Sequence, residues 1–82
     1  MVQANNNNQQ KGLLIGLGFD NKDGHKRITK GENFVLAGGS EDTHNKMVET
    51  TMKFNEKLDS KGKRIEDLSK NEFIDMISEA SE

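Results

Sequence analysis

Asn21-Lys22-Asp23-Gly24 stands between an apolar stretch and a basic one, and the reading of these four residues decides the sheet. The pattern is that of a chain reversal. Asn21 caps it through its side chain, Lys22 and Asp23 accept right-handed helical angles, and Gly24 supplies the positive φ that closes a type I turn with a bulge. A tight turn here makes residues 13–20 and 25–30 antiparallel neighbours and fixes which side chains share a face.

On the N-terminal side, Leu13, Ile15, Leu17 and Phe19 alternate with Leu14, Gly16, Gly18 and Asp20. Period two marks a half-buried strand, and the more apolar set is expected to face the core. Closing the turn sets Asp20 opposite His25, Gly18 opposite Arg27, Leu17 opposite Ile28 and Gly16 opposite Thr29. Ile28 then joins the apolar face. Asp20, His25, Arg27 and Thr29 gather on the outward face over two glycines, and these four are the candidate binding residues. A second turn at Lys30-Gly31 leads into a third short strand over residues 33–37. A two-residue loop puts Val35 and Ala37 with Ile28, and a loop one residue longer puts Phe34 and Leu36 there.

Gly38-Gly39-Ser40 ends the sheet and opens a helix, with Ser40 as N-cap and Glu41 and Asp42 at the positive end of the helix dipole. His44, Met47, Val48, Thr51, Met52, Phe54, Asn55 and Leu58 fall on one arc of that helix. It is expected to stop near residue 60 or 61, because Gly62 suits the left-handed position after a helix end. Ser69-Lys70-Asn71-Glu72 matches a capping box and starts a second helix over about residues 70–80, burying Phe73, Ile74, Met76, Ile77 and Ala80. The expected fold class is therefore α+β: a small two-layer domain in which an antiparallel β-hairpin or a three-stranded meander is followed by two α-helices.

The chain has 82 residues, enough for one domain with a modest core. Residues 1–11 hold an Asn/Gln-rich polar run with almost nothing to bury and are expected to form a disordered tail, leaving 12–82 as a single domain. With no Cys, disulfides, thiolate metal sites and cysteine nucleophiles are excluded. No apolar run is long enough for a membrane span and the start does not resemble a signal peptide, so a cytoplasmic protein is expected. The formal net charge is −2, divided as +2 over residues 11–39 and −4 over 40–82.

Several motifs fail on their own residues. Gly16-Leu17-Gly18-Phe19 resembles the carboxylate-binding loop of PDZ domains, but over four residues only, without the strand that precedes that loop or the strands that follow. Gly16-x-Gly18 lacks the third glycine of a dinucleotide fingerprint, since Asn21 stands there. The run from Phe19 to Gly24 has calcium-loop spacing, yet Phe19 replaces the first carboxylate and Lys30 the final glutamate. His25 and His44 have no spacing that makes a metal pair, so no metal and no cofactor are expected. Asn55 lies in the middle of the apolar arc, where its amide needs a partner: a backbone group, or a second subunit across an interface.

No triad or acid/base pair stands out. The expectation is a non-enzymatic binding module that acts by protein–protein interaction or by homo-oligomerisation, as in a homodimer, through a sheet edge or helix face. The alternative is a weak nucleic-acid binder using the basic segment 25–30, which has cations but no aromatic platform.

Overall fold

The computed structural model describes residues 12–82, and the expected tail over 1–11 lies outside the described residues. In chain order come β1 (Leu14–Gly18), β2 (Ile28–Lys30), β3 (Phe34–Gly38), α1 (Glu41–Lys61), a 3-10 turn (Ile65–Asp67) and α2 (Lys70–Ala80). A three-stranded mixed sheet followed by two helices makes this a small α+β domain. The helix limits follow their local signals. The Ser40 hydroxyl accepts the Thr43 N–H at 3.2 Å, Gly62 ends α1 at φ 65°, and Ser69 and Glu72 form the expected capping box.

The strand pairing differs from the expected hairpin. The order is β1-β3-β2. β3 is central, parallel to β1 with Ile15 opposite Val35 and Leu17 opposite Ala37, and antiparallel to β2 with Ile28 opposite Ala37 and Lys30 opposite Val35. The hairpin of this sheet is thus β2–β3, and neither Asp20 with His25 nor Leu17 with Ile28 forms a pair. The turn at residues 21–24 nevertheless forms. Asn21 Oδ1 accepts the N–H groups of Asp23 and Gly24 at 3.2 and 3.1 Å, and Gly24 has φ 73°. Residues 19–27 make a link long enough to carry β2 past the end of β3, and the most apolar strand takes the place where both its edges are paired.

Glycine makes that crossing possible. Gly38 and Gly39 have φ 81° and 84°, angles that L side chains rarely adopt. A Cβ on Gly38 would lie 2.5 Å from the Gly18 carbonyl oxygen, and one on Gly18 would lie 2.7 Å from Gly39 Cα. The link runs tightly over this junction, where the Arg27 carbonyl accepts the Gly38 N–H at 2.8 Å.

The buried face is also the opposite of the expected one. Leu14, Gly16 and Gly18 turn toward the helices, whereas Leu13, Ile15, Leu17, Phe19 and Ile28 are 52, 60, 59, 89 and 64% exposed. Close approach accounts for the choice: a Cβ on Gly16 would stand 2.8 Å from Leu36 Cδ2 and 3.3 Å from Met47 Sδ, so the helix layer occupies space that a side chain would need. Phe34 and Leu36 are buried on that side. Phe54, Leu58, Met76 and Ala80 form the central cluster, with Leu14, Ile65, Leu68, Phe73 and Ile77 packed against it. The Phe54 and Phe73 rings meet edge to face at 5.5 Å. Met52 and Ile74, expected inside, are exposed because each lies at the margin of its helix's apolar arc.

Candidate functional site

The open face of the sheet is the most distinctive surface. Residues paired directly across strands share a face. Leu17, Ala37 and Ile28 therefore make one row, and Ile15, Val35 and Lys30 the next. Leu13 and Phe19 extend the β1 column at either end. Because Asp20 is tied to the helix layer, alternation along the extended chain sends Phe19 to the open side. Lys30 is the only charged side chain in the two rows, and it stands at a corner. The five large side chains expose on the order of 500 Å², near the upper limit for a contiguous apolar patch on a soluble monomer. The first of these rows has a notch at its centre, since Ala37 is flanked by the larger Leu17 and Ile28.

The four residues expected to make a binding face do not come together as one. Asp20 reaches the start of α1, where its carboxylate accepts the Ser40 N–H at 2.8 Å, the Ser40 hydroxyl at 3.1 Å and the Thr43 hydroxyl at 2.6 Å. Those bonds, the Thr43 hydroxyl first, hold its pKa below the usual carboxylate value. Arg27 donates to Asp23 at 2.7 Å and to the Gly39 carbonyl at 3.2 Å, and this bond to Arg27 is the main cause of the lowered Asp23 pKa. The Thr29 hydroxyl meets His44 Nε2 at 2.8 Å while His44 Nδ1 lies 2.9 Å from the Gly38 carbonyl. A carbonyl only accepts, so Nδ1 carries a proton and donates it, while Nε2 shares the second bond with the Thr29 hydroxyl. His25 alone remains a solvent-facing side chain, with its backbone held by Asp23 and Asn21. Asp20, Arg27 and Thr29 thus form a polar seam that fastens the link and β2 to the β3–α1 junction.

Asn55 has found its partner within the chain. Its Oδ1 accepts from Asn33 Nδ2 at 2.8 Å, and its Nδ2 donates to Asn33 Oδ1 at 3.3 Å. Asn33 and the bridging place of His44 are what sequence reasoning missed. Both depend on contacts between distant segments and leave no local signal. The glycines at 16 and 18 were the available sign of the buried face, since a strand face without side chains admits a close neighbour.

A second feature lies along β1. Leu14 N–H donates to the Asn33 carbonyl at 2.9 Å, so the two-residue repeat points the backbone groups of Leu14, Gly16 and Gly18 at β3 and the N–H and C=O groups of Ile15 and Leu17 to the outer edge, which no described strand pairs. Beside this edge an apolar groove of about 470 Å³ runs past Leu14, Gly16, Met47, Phe73 and Ile77. The outer edge of β2 is only three residues long, ends on Lys30 and follows Arg27, and such short charged edges resist pairing. Among the described residues, no three His, Cys, Asp or Glu side chains cluster as metal ligands would, and no helix is long and apolar enough to cross a membrane. Comparison with protein-family models, curated proteins and solved structures finds no match.

Proposed function

We propose that this chain is a non-enzymatic protein-interaction module that binds its partner through the sheet. The observation carrying this reading is the inverted sheet: Asp20, Arg27 and Thr29 are consumed in internal bonds, and the large apolar side chains point to solvent. Covering about 500 Å² of apolar surface contributes roughly 12 kcal/mol gross. That is comparable with the roughly 4 to 15 kcal/mol lost in association, so the face can support a specific complex when the partner supplies a matching surface. Weak nucleic-acid binding through His25, Lys26, Arg27 and Lys30 ranks second, because Arg27 is already paired with Asp23 and no aromatic ring stands among those cations.

Photo-crosslinking residues placed singly at Leu17, Lys26 and Asp75 in the cell distinguish the two. Protein adducts concentrated at position 17, with few at 75, are the expected result. Nucleic-acid adducts at 26 without protein adducts at 17 would reverse the ranking.

A further inference from the structure

We infer that the partner on the open sheet face is a second copy of this chain, packed sheet against sheet about a two-fold axis, with Phe19 of each copy seated in the Ala37 notch of the other. This rests on the interaction reading above and names its partner. Three features of the face argue for self-association.

The first is shape. A two-fold interface uses the same patch twice, so it needs both a projection and a matching recess within one patch. Phe19, 89% exposed, projects beyond the end of β1. Ala37, between Leu17 and Ile28 in the register, is the recess. The second is area. Five side chains exposing on the order of 500 Å², with Val35, Ala37 and the Lys30 stem around them, approach the roughly 800 Å² that each partner contributes to a standard stable interface.

The third is charge. Apart from Lys30 at its corner, the two rows of the face carry no ionised side chain, so the surface meets itself without like charges opposed. The segment carrying the formal charge of −4 forms the helix layer behind the sheet, and face-to-face packing keeps the two acidic layers on the far sides of the assembly. Pairing through the β1 edge would leave the apolar face in water. The first eleven residues bring only Met1, Val2 and Ala4 as apolar side chains, too little to replace the second sheet.

Sedimentation of the full chain from about 1 µM to 1 mM, a range spanning weak to moderate dimer affinities, tests the assignment. A reversible monomer–dimer equilibrium is expected. Ile28→Asp, at a solvent-facing position that leaves the core untouched, should weaken the dimer by about a hundredfold, as removal of a central anchor does, with unchanged circular dichroism. Ala37→Leu is the sharper variant. It enlarges the apolar patch yet closes the notch, so it should weaken the dimer, whereas unspecific apolar contact would be strengthened. In a mixture of isotope-labelled and unlabelled protomers, contacts from the Phe19 ring to the Ala37 methyl group are expected.

A dimer that survives Ile28→Asp, or whose only intermolecular contacts run along β1 backbones, would overturn the assignment in favour of the edge. A monomer at every concentration, or contacts from residues 1–11 to Leu17 and Ile28, would also overturn it. In the monomer case protein adducts at position 17 would still identify a different partner, so this inference fails separately from the broader reading.

Discussion

The covered and open faces of the sheet are made from the same three strands, yet they use side chains in opposite ways. The covered face is sparse along β1, with Leu14 and two glycines, and it lets α1 come close enough for Met47 to lie over Gly16. The open face carries Ile15, Leu17 and Ile28 at full height, with nothing over them among the described residues. Apolar content is greater on the exposed side. In this domain burial follows the closeness with which a second layer can approach, and the bulkier face is left open.

The largest expected contrast is between two leucines. Leu36→Ala, at a position 2% exposed, should cost about 3 kcal/mol through lost transfer energy and a cavity. Leu17→Ala on the other face should stay within about 0.5 kcal/mol for the isolated chain. Urea unfolding at low protein concentration measures both, and equal costs would break the comparison. Next comes the junction that holds the covered face in place. Gly38→Ala forces a side chain into a left-handed conformation and against the Gly18 carbonyl, and a loss of about 2 kcal/mol is expected. Gly24→Ala has the same φ problem but open space around it, so it should cost about 1 kcal/mol. If Gly24 proved the more sensitive, the crossing of the link over β3 would not be what the glycine pair supports.

A smaller effect sharpens the polar side of the comparison. Thr29→Val keeps the shape of the side chain and removes its hydroxyl from His44, for an expected loss of about 1 kcal/mol. Amide exchange should quicken around residues 38 and 44 while the open face is unaffected. The mildest effect is on acid stability. Asp20, Asp23, Glu66 and Glu72 all have pKa values lowered in the folded chain. The unfolded chain therefore takes up protons first as pH falls. The stability these groups contribute is present above their unfolded values, near 4, and is lost as pH drops through the lower folded ones. Asp20→Asn should flatten the fall in melting temperature below about pH 4. An unchanged acid slope would mean that the seam contributes nothing through this carboxylate.

What could be read from the chain was local. The bounds of α2, the Gly62 stop, the Asn21 turn and the positive φ of Gly24 each depend on residues within a few positions of one another, and the structure has them all. The pairing of β1 with β3 depends on residues about twenty positions apart, and nothing in either strand specifies its neighbour. Alternation identified two faces on β1 without saying which one the helices would cover. The outward face expected for Asp20, Arg27 and Thr29 rests on a β1–β2 hairpin register that the sheet does not have. They are bonded instead to a helix start and a glycine junction whose positions no local pattern gives.

The parallel pairing of β1 with β3 sets an order of assembly. β2 and β3 are joined by a tight reversal, with Gly31 N–H bonded to the Phe34 carbonyl at 2.9 Å, and hairpins of this kind close in about 1–10 µs. β1 has no such shortcut, because its partner β3 lies beyond the whole of the link and β2, and the entropy of closing that longer loop delays its docking. The earliest of these three strands in the chain is then the last to join the sheet, and its amides should be the first of the three to exchange with solvent. Since β1 supplies most of the open face, that surface is completed only at the final step of assembly.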